Sequence, residues 1–263
     1  LNPVVVQIND SSHIIVSDLT FINSPWFTVA PYRSEYVTID HVTVKNPSNA
    51  PNTDGIHPEA CHHVVISNCF VSTGDDGIVI TSETDKNTNA KYSSENITVN
   101  HCTVHSGHGG IVIGSAISGD VRDIHAHNLH FEGTLRGVRL KSTRDHGGIV
   151  ENIYIKDITM KNISDEGITI SAFYDVKNFD PHNIPSKTFD VSKTPTFRNI
   201  HLTNVTGDSK LGLQIVGLPE KHFDKIELKQ VHLVAKKEEI IVNADHVLKE
   251  NFIYKIDKHL HDN

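Results

Sequence analysis

The sequence is poor in the residues that stabilise small disulfide-linked or zinc-binding domains. It has three cysteines, Cys61, Cys69 and Cys102, and only one tryptophan and one methionine among 263 residues. An odd number of cysteines without a C-x-x-C pair argues against a disulfide framework and against a structural zinc site. Cys69 and Cys102 each lie five residues after an apolar position that recurs along the chain, so we expect both thiols to face the core.

The chain also lacks an excess of basic residues and a long apolar run. It contains 24 lysines and arginines against 32 acidic residues, a net charge of −8. This balance argues against binding to nucleic acid or to an anionic membrane. No run of 18 apolar residues is present, which excludes a membrane-spanning helix. Protonating all 19 histidines would raise the net charge to +11, so attraction to a polyanion should increase at acidic pH.

A repeat organises most of the chain. In each copy a polar residue precedes an apolar anchor, and β-forming residues alternate around that anchor. The anchors are Ile14, Val37, Val64, Ile97, Ile124, Ile153, Ile200 and Ile226. Alternation predicts strands, and a spacing mostly in the twenties predicts a solenoid. The leucine-rich repeat template is missing, so we predict an all-β protein, a parallel β-helix of about eight coils spaced about 4.8 Å apart.

The largest gap between anchors marks an insertion. Ile153 and Ile200 are 47 residues apart, and the segment 174–196 between them contains Pro181, Pro185 and Pro195. Prolines interrupt ladder pairing, so this segment is expected to form a surface loop. We find no other break, and we therefore predict one domain over residues 1–263.

Stacking the coils in register brings charged residues together. A second strand opens 13 residues after three of the anchors, at Gly77, Gly110 and Gly137. Asp75 and His108 each lie 11 residues after an anchor, so they should be neighbours on adjacent coils. The Asp54-Gly55-Ile56 segment aligns with Asp76-Gly77-Ile78, which places Asp54 beside Asp76.

Two cations extend this column of charges. Arg139 and Lys141 flank Leu140, and alternation turns both outward on the same face. Taken singly, Asp-Gly pairs mark turns and outward cations are solvated. Three carboxylates at this spacing repel one another, which raises the pKa of one and leaves a proton donor beside ionised bases. Glycosidic cleavage needs such a pair of carboxyl groups.

Four segments resemble, in order, the signature motifs of the polygalacturonase family of glycoside hydrolases. They are Asn52-Thr53-Asp54-Gly55, Gly74-Asp75-Asp76-Gly77, Gly107-His108-Gly109 and Arg139-Leu140-Lys141. A segment upstream, Asn23-Ser24-Pro25-Trp26, is also similar to that family. The resemblance covers roughly residues 10 to 175.

The resemblance implies a right-handed parallel β-helix that hydrolyses α-1,4 galacturonan links with inversion. Asp75 would be the general acid, Asp54 and Asp76 would activate the water, and His108 would support the protonation of Asp75. The residues expected to bind substrate are Asn52, His57, Arg139, Lys141 and Tyr174. No metal or organic cofactor is implied. The expected partner is polygalacturonate or its oligomers, bound by a secreted or periplasmic monomer.

The chain departs from the family pattern at two points. His57 stands where many members have another aspartate, which predicts changed contacts to the sugar. Further N-terminal coils and a cap helix typical of the family are also missing, which would expose an open edge on the first coil.

Three alternatives remain open at this stage. Carboxyl groups on adjacent coils would be close to the roughly 5–5.5 Å separation of retaining glycosidases, not the roughly 6.5–9.5 Å of inverting ones. A β-helical pectate lyase would need calcium and a basic residue to abstract a proton. A non-catalytic carbohydrate-binding β-helix would need neither. The motifs do not distinguish endo from exo attack.

Overall fold

The computed structural model describes residues 2–174, 180–181, 183–184, 190 and 193–261. Within the predicted insertion, Pro181 lies in a turn and Pro195 directly precedes a strand. Pro185 and much of the rest of the insertion lie outside the described residues. In the described part of the chain, no helix is long and apolar enough to cross a membrane.

Short strands account for nearly all of the regular structure. In chain order they are β1 (Val6–Asn9), β2 (Ser12–Ser17), β3 (Thr20–Ile22), β4 (Val29–Tyr32), β5 (Glu35–Asp40), β6 (Thr43–Lys45), β7 (His62–Ser67), β8 (Phe70–Ser72), β9 (Asp76–Thr84), β10 (Lys91–Tyr92), β11 (Ser94–Asn100), β12 (Thr103–His105), β13 (Gly109–Ile117), β14 (Val121–Glu132), β15 (Val138–Lys141), β16 (Ile149–Ser171), β17 (Thr196–Val216), β18 (Phe223–Lys237), β19 (Ile240–Val242), β20 (Ala244–Glu250) and β21 (Ile253–Ile256). One 3₁₀ turn, Arg144–His146, lies between β15 and β16.

The strands stack into parallel ladders, so the predicted parallel β-helix is confirmed. One ladder carries the anchors and runs β2, β5, β7, β11, β14, β16, β17, β18, β20. A second begins β3, β6, β8, β12 and continues through later parts of the long strands to β21. The third, named the cleft sheet, runs from β1 and β4 through Ile56–Glu59, β9, β13 and β15 to the ends of β16 and β17 and to β19.

The anchors lie one above another and form the core. Ile97 pairs with Val64 on one side and with Ile124 on the other. All anchors from Val37 to Ile226 are buried, whereas Ile14 on the first coil is half-buried. Cys69 and Cys102 are buried and free, which confirms that they are inward core thiols.

Backbone conformation explains why a polar residue precedes each anchor. It adopts a left-handed conformation, with φ between 51° and 59°, at every coil. These residues are His13, Tyr36, His63, Asn96, Asp123, Asn152, Asn199, Lys225 and His246. Asparagine, aspartate and histidine tolerate this conformation better than other residues with a Cβ atom. The polar position of the repeat therefore corresponds to the turn that leads each coil into its anchor strand.

The structure has one coil more than the eight anchors predict. Val247 in β20 pairs with Ile226, and the residue before it, His246, has the left-handed corner conformation. The described residues thus contain nine strands in the anchor ladder. Val247 is only half-buried, since no further strand covers it among the described residues.

We expect the anchors to dominate the stability of the helix. Ile153→Ala should lower the free energy of unfolding by about 2–5 kcal/mol, because it leaves a cavity in a fully buried layer. Ile15→Ala, a matched change at a side chain that is 74% exposed, should change it by about 0.5 kcal/mol or less. Urea denaturation followed by circular dichroism measures both. Equal losses in the two variants would contradict the assignment of inward and outward positions.

Candidate active site

The register of the cleft sheet determines which side chains share its outer face. Side chains alternate along each strand, so two columns cross the coils on this face. The first column contains Gln7, Ala30, His57, Val79, Val112, Arg139, Thr169 and Gln214. The second contains Asn9, Tyr32, Glu59 and Thr81, and continues after an irregularity in β13 with Lys141 and Ser171.

Three aspartates meet at the edge of this face. The amide of Gly55 donates to the carbonyl oxygen of Asp76 at 3.0 Å, so Asp54 and Asp76 are on adjacent coils, as the alignment predicted. Asp75 directly precedes Asp76, and all three line one cleft of about 290 Å³. The glycines after Asp54 and Asp76 have no room for a side chain: a Cβ atom would lie 2.4 Å from Val71 at Gly55 and 2.5 Å from Val104 at Gly77.

Asp75 is paired with His108, as the shared offset predicted. Nδ1 of His108 lies 3.0 Å from Oδ1 of Asp75, and the amides of Asn52 and Asp76 donate to the same carboxylate at 3.1 and 2.9 Å. Partial burial favours the neutral carboxyl, but the hydrogen bond and charge of His108 and the two amides outweigh it. The pKa of Asp75 is therefore held below its ordinary value, and the hydrogen bond to Asp75 raises the pKa of His108.

The environment of Asp54 shifts its pKa in the direction opposite to that of Asp75. It is 6% exposed, and burial raises its pKa. The nearby imidazole of His57 opposes that rise, whereas the negative charges of Asp76 and Asp75 add to it. Burial is the larger effect, so Asp54 binds a proton more readily than an exposed aspartate does.

The imidazole of His57 contacts the carboxylate of Asp54. Its Nδ1 lies 3.0 Å from Oδ2 of Asp54, without the alignment of a good hydrogen bond to any described residue. Its Nε2 contacts the hydroxyl of Thr81 at 2.9 Å, and its ring packs 4.6 Å from that of Phe27. His57 lines the cleft but is itself buried, so its nearest role in the structure is to hold Asp54.

Both predicted cations contact Asp76. Nζ of Lys141 lies 2.7 Å from Oδ2, and a guanidinium nitrogen of Arg139 lies 3.3 Å from Oδ1. The sequence had placed these cations beyond the aspartates as ligands for substrate, and their ion pairs with Asp76 were not foreseen. Burial lowers the pKa of both cations, and the charge of Asp76 opposes that shift. Lys141 still lines the cleft, where it retains donors for a ligand.

Tyr174 also reaches the site, although no motif fixed its position. Its ring lies 4.6 Å from Nζ of Lys141 and 5.5 Å from the guanidinium carbon of Arg139. Its amide donates to the carbonyl oxygen of Ser142 at 3.0 Å, which ties it to the end of β15. Asn52 lines the same cleft. Seven of the nine predicted site residues therefore line one cleft. The other two, Arg139 and His108, contact the aspartates directly.

Sequence reasoning missed Phe27 and Glu59, which also line the cleft. Alternation from the Asp54-Gly55-Ile56 segment would have placed Glu59 on the outer face, two positions after His57. Phe27 directly follows the Asn23-Ser24-Pro25-Trp26 segment. No group of three or more histidine, cysteine or acidic side chains has the arrangement of a metal site in the part of the chain that is described.

Comparison with known proteins gives consistent similarities. The model of glycosyl hydrolases family 28 matches residues 1–250. A probable polygalacturonase from Vitis vinifera is 28% identical over 245 residues, covering 90% of this chain and 48% of its own length. An endo-polygalacturonase from Pectobacterium carotovorum is 29% identical over 233 residues, covering 89% of this chain and 53% of its own. The chain spans about half the length of the curated relatives that it matches.

A solved structure has a closely similar fold. The exopolygalacturonase from Thermotoga maritima superposes with a TM-score of 0.86 and 31% identity, over 97% of this chain and 55% of that one. The polygalacturonase from Erwinia carotovora superposes with a TM-score of 0.64 and 25% identity, over 97% of this chain and 59% of that one.

The Asp75–His108 pair predicts a titration that can be measured directly. In the wild type, proton NMR of the His108 ring should show a pKa above the ordinary value of about 6.5, because the adjacent carboxylate stabilises the imidazolium. Asp75→Asn should lower that pKa, whereas Asp208→Asn, at a carboxylate that contacts His261 instead, should not. An unchanged titration in Asp75→Asn would contradict the pairing.

Proposed function

The chain belongs to glycosyl hydrolases family 28, and from that premise we propose that it hydrolyses the α-1,4 links between galacturonate units of pectin. The observation that carries the proposal is the group of three aspartates on two adjacent coils, each with a different partner. Glycoside hydrolysis requires one carboxyl that donates a proton and one that accepts a proton. In the unliganded site the pKa of Asp75 is lowered and that of Asp54 is raised, so the role of Asp75 as the acid requires a proton that its partner supplies.

In the proposed reaction, Asp75 donates its proton to the glycosidic oxygen as the bond to the anomeric carbon breaks. A water held between Asp54 and Asp76 attacks that carbon from the opposite face and loses its proton to a carboxylate. We assign this acceptor as Asp54, because burial raises its pKa and a stronger base accepts the proton more readily. One displacement therefore gives one new hydroxyl on each side and inverts the anomeric configuration.

The proton for Asp75 needs a source, since its pKa is lowered in the unliganded site. We propose that the Asp75–His108 pair binds one proton jointly, and that this proton lies on His108 while the cleft is filled with water. A sugar that covers the pair excludes water and disfavours two separated charges. The proton then moves to Asp75, which neutralises both groups. Activity should fall as the pH rises through the raised pKa of His108, where the pair loses this proton.

Recognition of substrate is assigned to the cationic end of the column. Lys141 and Tyr174 line the cleft, and Arg139 contacts Asp76 beside them. A sugar carboxylate that binds Lys141 would gain a charge-assisted hydrogen bond. Asn52 and His57 would contact the sugar nearer to the aspartates. We propose further that the protein acts as a secreted or periplasmic monomer, where plant cell-wall polymers are accessible, in endo or exo mode.

Release of reducing ends from polygalacturonate tests the proposal. Asp75→Asn should lower kcat by at least about 100-fold, because the variant keeps the shape of the side chain and loses the acid. Glu227→Gln, at an exposed carboxylate that contacts His201, should keep the wild-type rate, and a chelator should have no effect. A near-normal rate in Asp75→Asn would contradict the role of the acid. An unsaturated product that disappears with the chelator would indicate a lyase.

A further inference from the structure

The cleft extends toward the N-terminus, beyond the aspartates. A second groove of about 430 Å³ lies over the first three rows of the cleft sheet, and Phe27, His57 and Glu59 line both spaces. The two spaces therefore adjoin at these three residues. Three rows spaced about 4.8 Å apart extend over roughly 10 Å, enough for one or two sugar units. A chain that crosses the aspartates would place its next unit in this groove, on the side opposite Lys141.

The groove differs from the cationic end in its charge. The described residues that line it include no lysine and no arginine; they are Val4, Gln7, Asn9, Trp26, Phe27, Ala30, Pro31, Tyr32, His57 and Glu59. Arg33, the nearest basic residue in sequence, is bound to Glu83 through Nε at 2.8 Å. Its guanidinium carbon lies 3.9 Å from the ring centre of Tyr92 and 5.1 Å from that of Tyr32, behind the groove. Arg33 lines a separate cavity. The described lining therefore has amide, hydroxyl, carboxyl and imidazole groups but no lysine or arginine.

A free galacturonate carboxylate would be unfavourable at this position. It would lie near Glu59 and Asp54 with no lysine or arginine among the described lining residues, and a partly buried charge without a close partner is costly. Burial raises the pKa of Glu59, and the nearby charges of His57 and Arg33 oppose that rise without reversing it, so the environment of this carboxyl disfavours a negative charge. An uncharged unit removes the repulsion.

The aromatic side of the groove fits a small apolar substituent. The rings of Trp26 and Phe27 lie 5.5 Å apart and are tilted by 32°, and both are partly exposed where they line the groove. A methyl ester places an apolar methyl group on the sugar, which can pack against such rings. The side-chain amide nitrogen of Asn9 could donate to the ester carbonyl, and the side-chain oxygens of Gln7 and Tyr32 could accept from the ring hydroxyls. The protons of Gln7 and Tyr32 themselves are donated within the protein, to Asn9 and Ala30 and to Glu83.

We propose that this groove binds a methyl-esterified galacturonate unit, while the unit at Lys141 has a free carboxylate. This inference rests on the proposed function and specifies its substrate as partly esterified galacturonan. Glu59 is then the residue that determines specificity, since it excludes a second negative charge from the groove.

The test compares cleavage of partly methyl-esterified galacturonan with cleavage of polygalacturonate of the same length. The wild type should have a kcat/KM about tenfold or more higher on the esterified polymer. Glu59→Gln should reduce that preference, and Glu59→Lys should reverse it, because a cation would then attract the free carboxylate. Glu227→Lys makes the same change in net charge at an exposed site outside the groove and should keep the wild-type ratio. Mass spectrometry of the products should show esters concentrated on one side of each cleaved link.

Two results would overturn the inference while leaving the proposed function intact. One is cleavage of both polymers by the wild type with equal or reversed preference. The other is an unchanged ratio in Glu59→Lys. Binding to the Asp75→Asn variant, measured by calorimetry with esterified and free oligomers, separates recognition from chemistry and should show the same tenfold preference. Absence of cleavage of either polymer by the wild type would reject the proposed function, and the inference with it.

Discussion

The in-register stacking of coils is the constraint on which the site depends. Adjacent strands of a sheet are held about 4.8 Å apart by backbone hydrogen bonds, so residues that are 21 to 47 positions apart in sequence become direct neighbours. The amide of His108 donates to the carbonyl oxygen of Asp75, and that of Gly55 to the carbonyl oxygen of Asp76. The same ladder places Lys141 within 2.7 Å of Asp76, 65 residues away. A shift of one residue in any coil would reverse the alternation and turn these side chains into the core.

Charge compensation makes this concentration of carboxylates tolerable. Asp54 contacts His57, Asp75 contacts His108, and Asp76 contacts two cations. The pKa values of Asp54 and Asp75 shift in opposite directions. Burial outweighs the imidazole and raises the pKa of Asp54, whereas hydrogen bonding and the charge of His108 outweigh burial and lower the pKa of Asp75. The backbone ladder thus fixes the positions of the acids, and the local partners separate their affinities for protons. Toward the N-terminus this compensation is weaker, because no described lysine or arginine lines the groove that contains Glu59, and burial outweighs the charges of His57 and Arg33 in raising its pKa.

Much of the site could be predicted because it depends on backbone register. The anchors, the Asp75–His108 pair and the Asp54–Asp76 neighbours all follow from offsets that can be counted in the sequence. The ion pairs of Arg139 and Lys141 with Asp76 could not be counted in this way, since they depend on how far long side chains bend across two coils. His57 was predicted as a ligand for sugar because of its place in a motif, but its contacts with Asp54 and Thr81 depend on side-chain rotamers. The contact between the rings of Phe27 and His57 joins two coils and cannot be derived from the repeat either.

The stereochemistry of cleavage tests most directly whether a water between Asp54 and Asp76 is the nucleophile. Carboxyl groups on adjacent coils could also support a covalent glycosyl-enzyme, in which two displacements retain the configuration. Proton NMR in the first minutes of hydrolysis, before mutarotation, distinguishes the two. A single displacement on the α-linked polymer predicts that the new reducing end appears first as the β anomer. If the α anomer appeared first, one of the aspartates would be a nucleophile and the assignment of Asp54 and Asp76 to water activation would be wrong.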